Sequence, residues 1–410
     1  MSTHPVRLIV TDDLQRTRIT VGLRVLLAIP HYIWLGLWTI VAFLGGILNW
    51  VVTLLLGRSP SWLHRFLAAY VKYVTQLYAY LRIAANPYPS FDGPDGYPVD
   101  LQIDPPARQA RLTVLARLLL AIPALVIAQS LGGTANIAFR RSSLTRLSFG
   151  GGLASVVSVA AWFVGVAQRR SARGLRDAAT YSLGYGAQTW GYLLLLTDRY
   201  PDSDPLAMLP EVPAREDPVR VHAQDDLRRS RLTILFRLPL IFPHYFWLLL
   251  WTIVAFPATL LNWLLTLLRG RPPQALHRFL SAYLRYAISL FAFLYASANP
   301  FPGFVGAPGA YPAFETVIAP PARQSRWKVG FRLILAIPAL LIAGAYSTLA
   351  SVVGFFAWWS ALIRGRLPRG LRNAGALALR YEAQSLAYLL LLTDAYPYTG
   401  PLQGDGPGGG

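Results

Sequence analysis

Paired arginines recur along this chain at a fixed spacing, and they are its residues best suited to bind an anion. A first Arg, a second Arg six residues later and a Pro six residues after that open a segment that occurs four times, each followed by a long apolar run. The first members are Arg18, Arg111, Arg231 and Arg326, and the second members are Arg24, Arg117, Arg237 and Arg332. Because a guanidinium group offers bidentate donors, these residues could bind phosphate or carboxylate groups.

Two other roles for these arginines are open at the level of sequence. An Arg at the start of a membrane helix can extend its side chain to the lipid headgroups and serve as an anchor. The arginines could also pair with acids such as Asp198 and Asp394, which end their predicted helices. The spacing alone does not separate anion binding from these structural roles.

A second polar column falls inside the helices that follow each apolar run. Lys72, Arg285 and Arg380 occupy one position of the repeat, and Gln76, Gln188 and Gln384 lie four residues later. Four-residue spacing places both groups on one helix face, and a charge within a spanning helix usually faces a polar interior. We therefore predict a polar path for anions, although Lys72 could also reach the headgroups. The predicted ligand-binding residues are Arg24, Arg117, Arg237, Arg332, Lys72, Arg285, Arg380, Gln76, Gln188 and Gln384.

Residues for metal binding or catalysis are not arranged in a known pattern. The chain has no cysteine, and His31, His64, His244 and His277 lack the spacing of a metal site. Interfacial hydrogen bonding is the expected role of these histidines. We find no nucleophile elbow, phosphate loop or dinucleotide fingerprint. We predict no metal, no cofactor and no catalytic residue; an enzyme is disfavoured but stays open.

The composition indicates a membrane protein. Hydrophobic residues make up 54% of the 410 residues and charged residues only 14%, whereas soluble domains carry about 25% charged residues. The net charge is +19, but the arginines cluster at the ends of apolar segments. Such clusters are typical of membrane flanks that attract anionic lipids. We therefore expect the bilayer and its anionic lipids as partners, and no nucleic acid.

The chain repeats twice over, in the order A-B-A-B. Residues 1–97 form module 1, 98–217 module 2, 218–310 module 3 and 311–399 module 4, followed by a tail at 400–410 that is expected to be disordered. Module 2 carries an insertion at about 132–150, with Arg140, Arg141 and Arg146. This insertion is either a specific contact or a tolerated loop. A repeat of this kind determines the fold, because each copy forms one structural unit.

Each module predicts two membrane helices. In module 1, residues 14–29 would form an amphipathic helix at the interface, 30–56 would cross the bilayer, and 62–85 would return. The fold class is thus an all-α integral membrane protein of about eight transmembrane helices, with one small β cluster from four short strands. Hairpin turns would share one membrane face, and the strands and both termini the other. We expect the termini in the cytoplasm.

Several motifs resemble a known family. They are Arg117–Pro123 (RLLLAIP), the RGLR turn at 173–176 and Tyr192–Pro201 (YLLLLTDRYP). They are similar to an uncharacterised family of bacterial membrane proteins, a domain of unknown function built from a two-helix unit, here in four tandem copies. Modules 1 and 3 depart from it, with Asn-Pro in place of Thr-Asp. The resemblance implies a multi-pass protein of the bacterial inner membrane and no activity.

Two functions follow as hypotheses. The first is a membrane protein that binds or passes anionic ligands, lipid headgroups included, through an Arg-lined space. The second is a membrane scaffold or accessory subunit whose interfacial helices dock a partner protein.

Overall fold

A computed structural model describes residues 4–133, 135–136, 148–149, 152–209 and 211–403. The chain divides into two compact units. Unit 1 comprises Met1–Ser203 and Ala207–Glu211, and unit 2 comprises Asp204–Leu206 and Val212–Gly410. The helix α8 (Pro205–Met208) falls at the junction of these segments. Each unit is built from one A module and one B module.

Unit 1 contains helices and short strands. Its elements are β1 (Val6–Val10), α1 (Arg18–Leu27), α2 (Ile29–Leu56), α3 (Ser61–Leu81), β2 (Val99–Ile103), α4 (Arg111–Leu115), α5 (Arg117–Gly132), β3 (Ala135–Asn136), β4 (Ser148–Phe149), α6 (Leu153–Gln168) and α7 (Arg173–Leu193).

Unit 2 repeats this order without the interruption between α5 and α6. Its elements are β5 (Val219–Ala223), α9 (Arg231–Leu235), α10 (Arg237–Arg269), α11 (Gln274–Leu294), β6 (Phe314–Ile318), α12 (Arg326–Gly330), α13 (Arg332–Arg364) and α14 (Arg369–Leu389).

The strands pair within each unit, so the predicted single β cluster is wrong. β1 pairs with β2 and β5 pairs with β6, both antiparallel. Leu8 lies opposite Leu101, and Val221 lies opposite Thr316. The members of each pair hold the same position in their two modules. A local two-fold axis therefore passes through each sheet and relates the A module to the B module.

The central helices of unit 1 are antiparallel. The start of α3 lies beside the end of α7, because the His64 ring is 3.3 Å from the carbonyl oxygen of Leu196. At the other end of the pair, the start of α7 lies beside the end of α3. The backbone N–H of Arg16 donates to the carbonyl oxygen of Arg169, before α7, and the Arg16 side chain donates to the carbonyl oxygen of Ile83, after α3. The expectation that all hairpin turns share one face is therefore wrong. The two modules are inverted relative to each other.

The predicted break at the proline is also misplaced. The chain breaks at Ala28 in module 1, where α1 ends and α2 begins. In the other modules it breaks directly before the second Arg, and the proline lies inside the helix, as Pro243 does in α10. Internal prolines are tolerated in membrane helices because neighbouring helices and side chains satisfy the freed carbonyl groups.

Three helices are long and apolar enough to cross a membrane: α2, α10 and α13. Shorter apolar helices are α5 and α6. Eight crossings are therefore not confirmed among the described residues. In α2 the buried residues form one narrow stripe of small or polar side chains, His31, Ala42, Asn49 and Thr53. The large apolar side chains of α2 point outward, as expected where lipid replaces water.

Two predicted segments are only partly described. Of the insertion at about 132–150, residues 134, 137–147 and 150 lie outside the described residues. Residues 400–403, assigned to the tail, are held in unit 2, where Arg380 donates to the carbonyl of Gly400 at 2.5 Å. The rest of the tail lies outside the described residues.

Candidate functional site

The second arginine of each pair is buried and caps a helix. Arg24, Arg117, Arg237 and Arg332 are each at most 2% exposed. Arg24 donates to the carbonyl oxygens of Tyr80 and Ala85, at the end of α3. The last carbonyls of a helix have no partner inside it and carry partial negative charge. The arginine supplies both the missing donors and the opposite charge.

The same cap recurs with small changes in the other modules. Arg237 donates to the carbonyl oxygens of Phe293 and Ala298. Arg117 donates to the carbonyl oxygen of Thr197 and to the side chain of Gln109. Arg332 donates in the same way to Thr393 and Gln324. Each guanidinium carbon lies 3.9–4.3 Å from the centre of an aromatic ring. One proposed acid pairing occurs, since Arg332 Nη2 lies 3.4 Å from an Asp394 oxygen.

The capped turns hold residues in an unusual conformation. Ile83, Leu195, Ala296 and Leu391 follow the ends of α3, α7, α11 and α14, and each has φ near +60°. The left-handed conformation costs a non-glycine residue about 1–2 kcal/mol. The carbonyls of these residues accept hydrogen bonds from Arg16, Gln109, Arg229 and Gln324. These bonds offset the strain.

The first arginine of each pair contacts the other module of its unit. Arg18 donates to Ala167 at 2.9 Å, and Arg111 donates to Leu55 at 2.9 Å. The same module pair is also joined by indole N–H groups: Trp50 donates to the carbonyl oxygen of Val114, and Trp162 donates to that of Val21. Unit 2 repeats this exchange with Arg231, Arg326, Trp263 and Trp358. Each short helix thus packs on the long helix of the partner module.

The mid-helix polar column supports the strands. Gln188 donates to the carbonyl of Val6 in β1 at 3.1 Å, and Gln384 donates to that of Val219 in β5 at 3.1 Å. Gln76 donates to Asp100 in β2 at 3.0 Å. The basic members bind the strands or the segments beside them: Lys72 pairs with Asp95 and Asp100, Arg285 donates to the carbonyl of Thr316 in β6, and Arg380 donates to the carbonyls of Tyr398 and Gly400 near the end of the chain.

All ten residues predicted to bind a ligand therefore have protein partners in the structure. They lie at eight local positions, four in each unit, and each position has its own hydrogen-bond partners. Burial lowers the pKa of Arg24 to about 10, so its guanidinium stays charged at neutral pH. A ligand-binding role for these ten residues stays a prediction.

The histidines take part in hydrogen bonds between helices. His31 Nδ1 lies 2.8 Å from the hydroxyl of Tyr73, and His244 Nδ1 lies 2.9 Å from that of Tyr286. In the part of the chain that the structure describes, no group of three or more His, Asp or Glu residues could hold a metal ion.

Unit 1 contains a groove that the sequence did not predict. Its cavity measures about 730 Å³, and α2, α3, α5, α6 and α7 line it. Tyr70 and Tyr78 of α3 and Gly186 and Trp190 of α7 form its floor. These residues lie two positions from Lys72, Gln76 and Gln188, so the groove and the sheet occupy opposite sides of the central helix pair. Pockets of about 300–1,000 Å³ typically enclose a drug-sized ligand.

One cation lines this groove. Arg82 follows the end of α3, is half-buried and donates to the carbonyl of Gly132 at 3.1 Å. Its guanidinium carbon lies 5.2 Å from the centre of the Tyr78 ring. Among the described residues we find no carboxylate paired with it, and the lining contains no Asp or Glu.

A family model matches the chain over residues 18–92, 231–305 and 326–399, which is more than half of its length. The model describes a domain of unknown function, DUF4389. The chain belongs to this family. The resemblance inferred from the motifs is confirmed, with three matched copies rather than four. No curated protein and no solved structure matches the chain.

The DUF4389 matches define what the family unit contains. The first match runs from Arg18 at the start of α1 to residue 92, beyond the end of α3. It includes both arginines, the long helix and the capped turn, but neither β1 nor β2. Module 2 folds in the same way although it is outside the matched ranges. Its long helix is interrupted between α5 and α6, which is the visible difference from the matched modules.

Arg82 departs from the repeat, and this departure was readable in the sequence. Leu194, Tyr295 and Leu390 occupy its position in modules 2, 3 and 4. A comparison of the modules by shared residues does not reveal Arg82, because an arginine occurs at this position only in module 1.

Proposed function

We propose that this DUF4389 protein is a membrane protein that binds a lipid from the bilayer in the groove of unit 1. The observation that carries the proposal is Arg82, a charged group without a carboxylate partner among the described residues, in a cavity of about 730 Å³. Because charged groups inside apolar surroundings are costly, they usually mark a functional contact. A lipid phosphate would complete the hydrogen bonds of this guanidinium.

The surroundings of the groove support a ligand that arrives from the membrane. Helix α2 exposes Ile33, Leu37 and Ile40, and α5 exposes Leu118 and Ile122. Such faces are stable in contact with acyl chains. A lipid could therefore move sideways into the groove without passing through water.

The anion contact in this proposal differs from the Arg-lined space expected from the repeat. The repeated arginines stabilise helix ends, whereas Arg82 lines an open cavity. Binding is thus assigned to a position at which module 1 alone carries an arginine. A bacterial cell membrane, with both termini in the cytoplasm, is part of the proposal and rests on the family resemblance and the arginine-rich start.

Gly186→Leu tests whether the groove holds a lipid. A Cβ added at Gly186 meets no atom within 4 Å, so leucine would fill the floor of the groove without disturbing the backbone. We expect the variant to retain fewer bound lipids than the unmodified protein. The number of bound lipids is measured by native mass spectrometry after release of the protein from nanodiscs. Gly36→Leu is the control, because Gly36 is also unobstructed but lies outside the groove.

Two results would contradict the proposal. Equal lipid retention in Gly186→Leu and the unmodified protein would mean that the groove is not the binding site. A lipid-free protein that carries a stoichiometric second polypeptide would instead favour the scaffold function, with the exposed helices as docking surface.

A further inference from the structure

We infer that the groove of unit 1 selects an anionic phospholipid whose headgroup carries hydroxyl groups and no amine. This inference rests on the proposed function and adds the class of ligand. It follows from what the cavity places near Arg82: one guanidinium group, a row of hydroxyl groups and no carboxylate among the described lining residues.

The charge balance sets the first part of the selection. A phosphodiester carries one negative charge, and Arg82 can meet it with two parallel N–H donors. A zwitterionic headgroup would bring an ammonium close to the same guanidinium. With no Asp or Glu in the described lining, that ammonium would have no opposite charge, and the like charges would repel each other.

The hydroxyl groups set the second part. Thr39 and Ser182 donate to the carbonyls of Leu35 and Ala178 on their own helices, and Ser158 donates in the same way to Ala154. With the hydroxyl hydrogens used, the oxygens of Ser158 and Ser182 keep lone pairs for a ligand, while the Thr39 oxygen already contacts the hydroxyl of Tyr70 at 2.9 Å. These acceptors suit a headgroup that supplies O–H donors, such as the glycerol of phosphatidylglycerol.

Unit 2 carries different residues at the positions that match the groove of unit 1. Tyr295 takes the place of Arg82 and stacks on Phe291, with 6.0 Å between ring centres. A Cβ added at Gly354 would lie only 3.0 Å from the Cα of Tyr295, so this tyrosine packs closely against α13. Glu382 occupies the position of Gly186. The anionic selection is therefore assigned to unit 1 alone.

The test compares lipid classes on the full chain. The protein is reconstituted in nanodiscs with equal amounts of phosphatidylglycerol, phosphatidylethanolamine and phosphatidylcholine, and the retained lipid is identified by native mass spectrometry. We expect about tenfold enrichment of phosphatidylglycerol over each zwitterionic lipid, which corresponds to about 1.4 kcal/mol of repulsion between Arg82 and the ammonium group. Equal retention of the three lipids would overturn the inference while leaving groove binding intact.

Variants of Arg82 identify the source of the selection. Arg82→Gln should abolish the enrichment while the number of retained lipids stays the same, and Arg82→Lys should keep part of it. Arg108→Gln is the matched control, because Arg108 is exposed and outside the groove. Loss of enrichment in Arg108→Gln to the same degree would assign the selection to overall charge and overturn the inference, as would unchanged enrichment in Arg82→Gln.

If Arg82→Gln unfolds, Ser158→Ala and Ser182→Ala provide a second measurement. Removal of both oxygens should lower the preference for phosphatidylglycerol over phosphatidic acid. No change in that ratio would refute the hydroxyl contribution.

Discussion

The paired arginines show how one residue type can serve the backbone instead of a ligand. The second arginine of each module lies against the last carbonyls of a helix, where hydrogen bonds from a charged donor contribute about 1.5–3 kcal/mol each. The adjacent aromatic ring adds about 0.5–2 kcal/mol. The spacing of these arginines could be read from the sequence. Their burial could not be predicted, because they bind backbone carbonyl groups, and every residue has one.

Arg237→Gln should destabilise unit 2. The change leaves the carbonyls of Phe293 and Ala298 without their charged donor in a buried site. We expect a loss of about 2 kcal/mol or more, seen as a lower thermal midpoint of tryptophan fluorescence in detergent. Arg228→Gln is the control, because Arg228 is exposed. Equal midpoints for the two variants would contradict the capping role.

Ala296→Gly should stabilise the same turn. Ala296 has φ of +58° after the end of α11, and glycine adopts this conformation without the cost that a Cβ imposes. We expect a gain of about 0.5–1 kcal/mol in unfolding free energy. Ala292→Gly, inside α11, should instead lose about 1 kcal/mol. A loss at both positions would show that the turn is not strained.

At the level of elements, the main finding is the exchange of short helices between modules. α1 packs on α6, while α4 packs on α2. In each contact, one arginine and one tryptophan donate hydrogen bonds to backbone carbonyl groups of the opposite helix. The sequence predicted α1 as an interfacial helix from its amphipathic pattern. It did not reveal that Val21 and Arg18 contact α6 of the other module, because the amphipathic pattern does not identify the partner of a helix.

Trp358→Phe should loosen α9. The indole N–H of Trp358 donates to the carbonyl of Ile234 at 2.7 Å, and phenylalanine keeps most of the apolar contact. Loss of a neutral hydrogen bond costs about 1 kcal/mol, so amide exchange in residues 231–235 should quicken about fivefold. Trp359→Phe is the neighbouring control, because Trp359 is 44% exposed. Similar exchange rates in the two variants would argue against the contact.

At the level of the molecule, each unit is a pair of inverted modules. The repeat, the apolar helices and the family were all predictable, because they depend on residue types that recur at matching positions. The relative direction of the two modules in a unit could not be predicted from the sequence. A repeat in sequence is compatible with parallel or antiparallel copies, and only the pairing of Leu8 with Leu101 and of His64 with Leu196 distinguishes them.

Cysteine labelling tests the inversion in a membrane. Ser61 and Ala172 are exposed and lie at opposite ends of the α3–α7 pair. α2 spans about 42 Å at 1.5 Å per residue, enough for a core of about 30 Å. We expect an impermeant maleimide to label Ser61→Cys and Ala172→Cys from opposite sides of sealed vesicles. Labelling of both from one side would mean that the helices lie along a single membrane face.

The exchanged helices also constrain the order of synthesis. Arg18 and its acceptor Ala167 are 149 residues apart in the chain, which a ribosome adds in roughly 7–30 s. During that interval α1 has left the ribosome and can bind the end of α3 through Arg24, but its contact surface for α6 stays open. A chain that stops before α6 would keep this surface open, and another copy truncated at the same place could not cover it. Premature termination in this protein should therefore leave half-units in which one side of α1 is unoccupied.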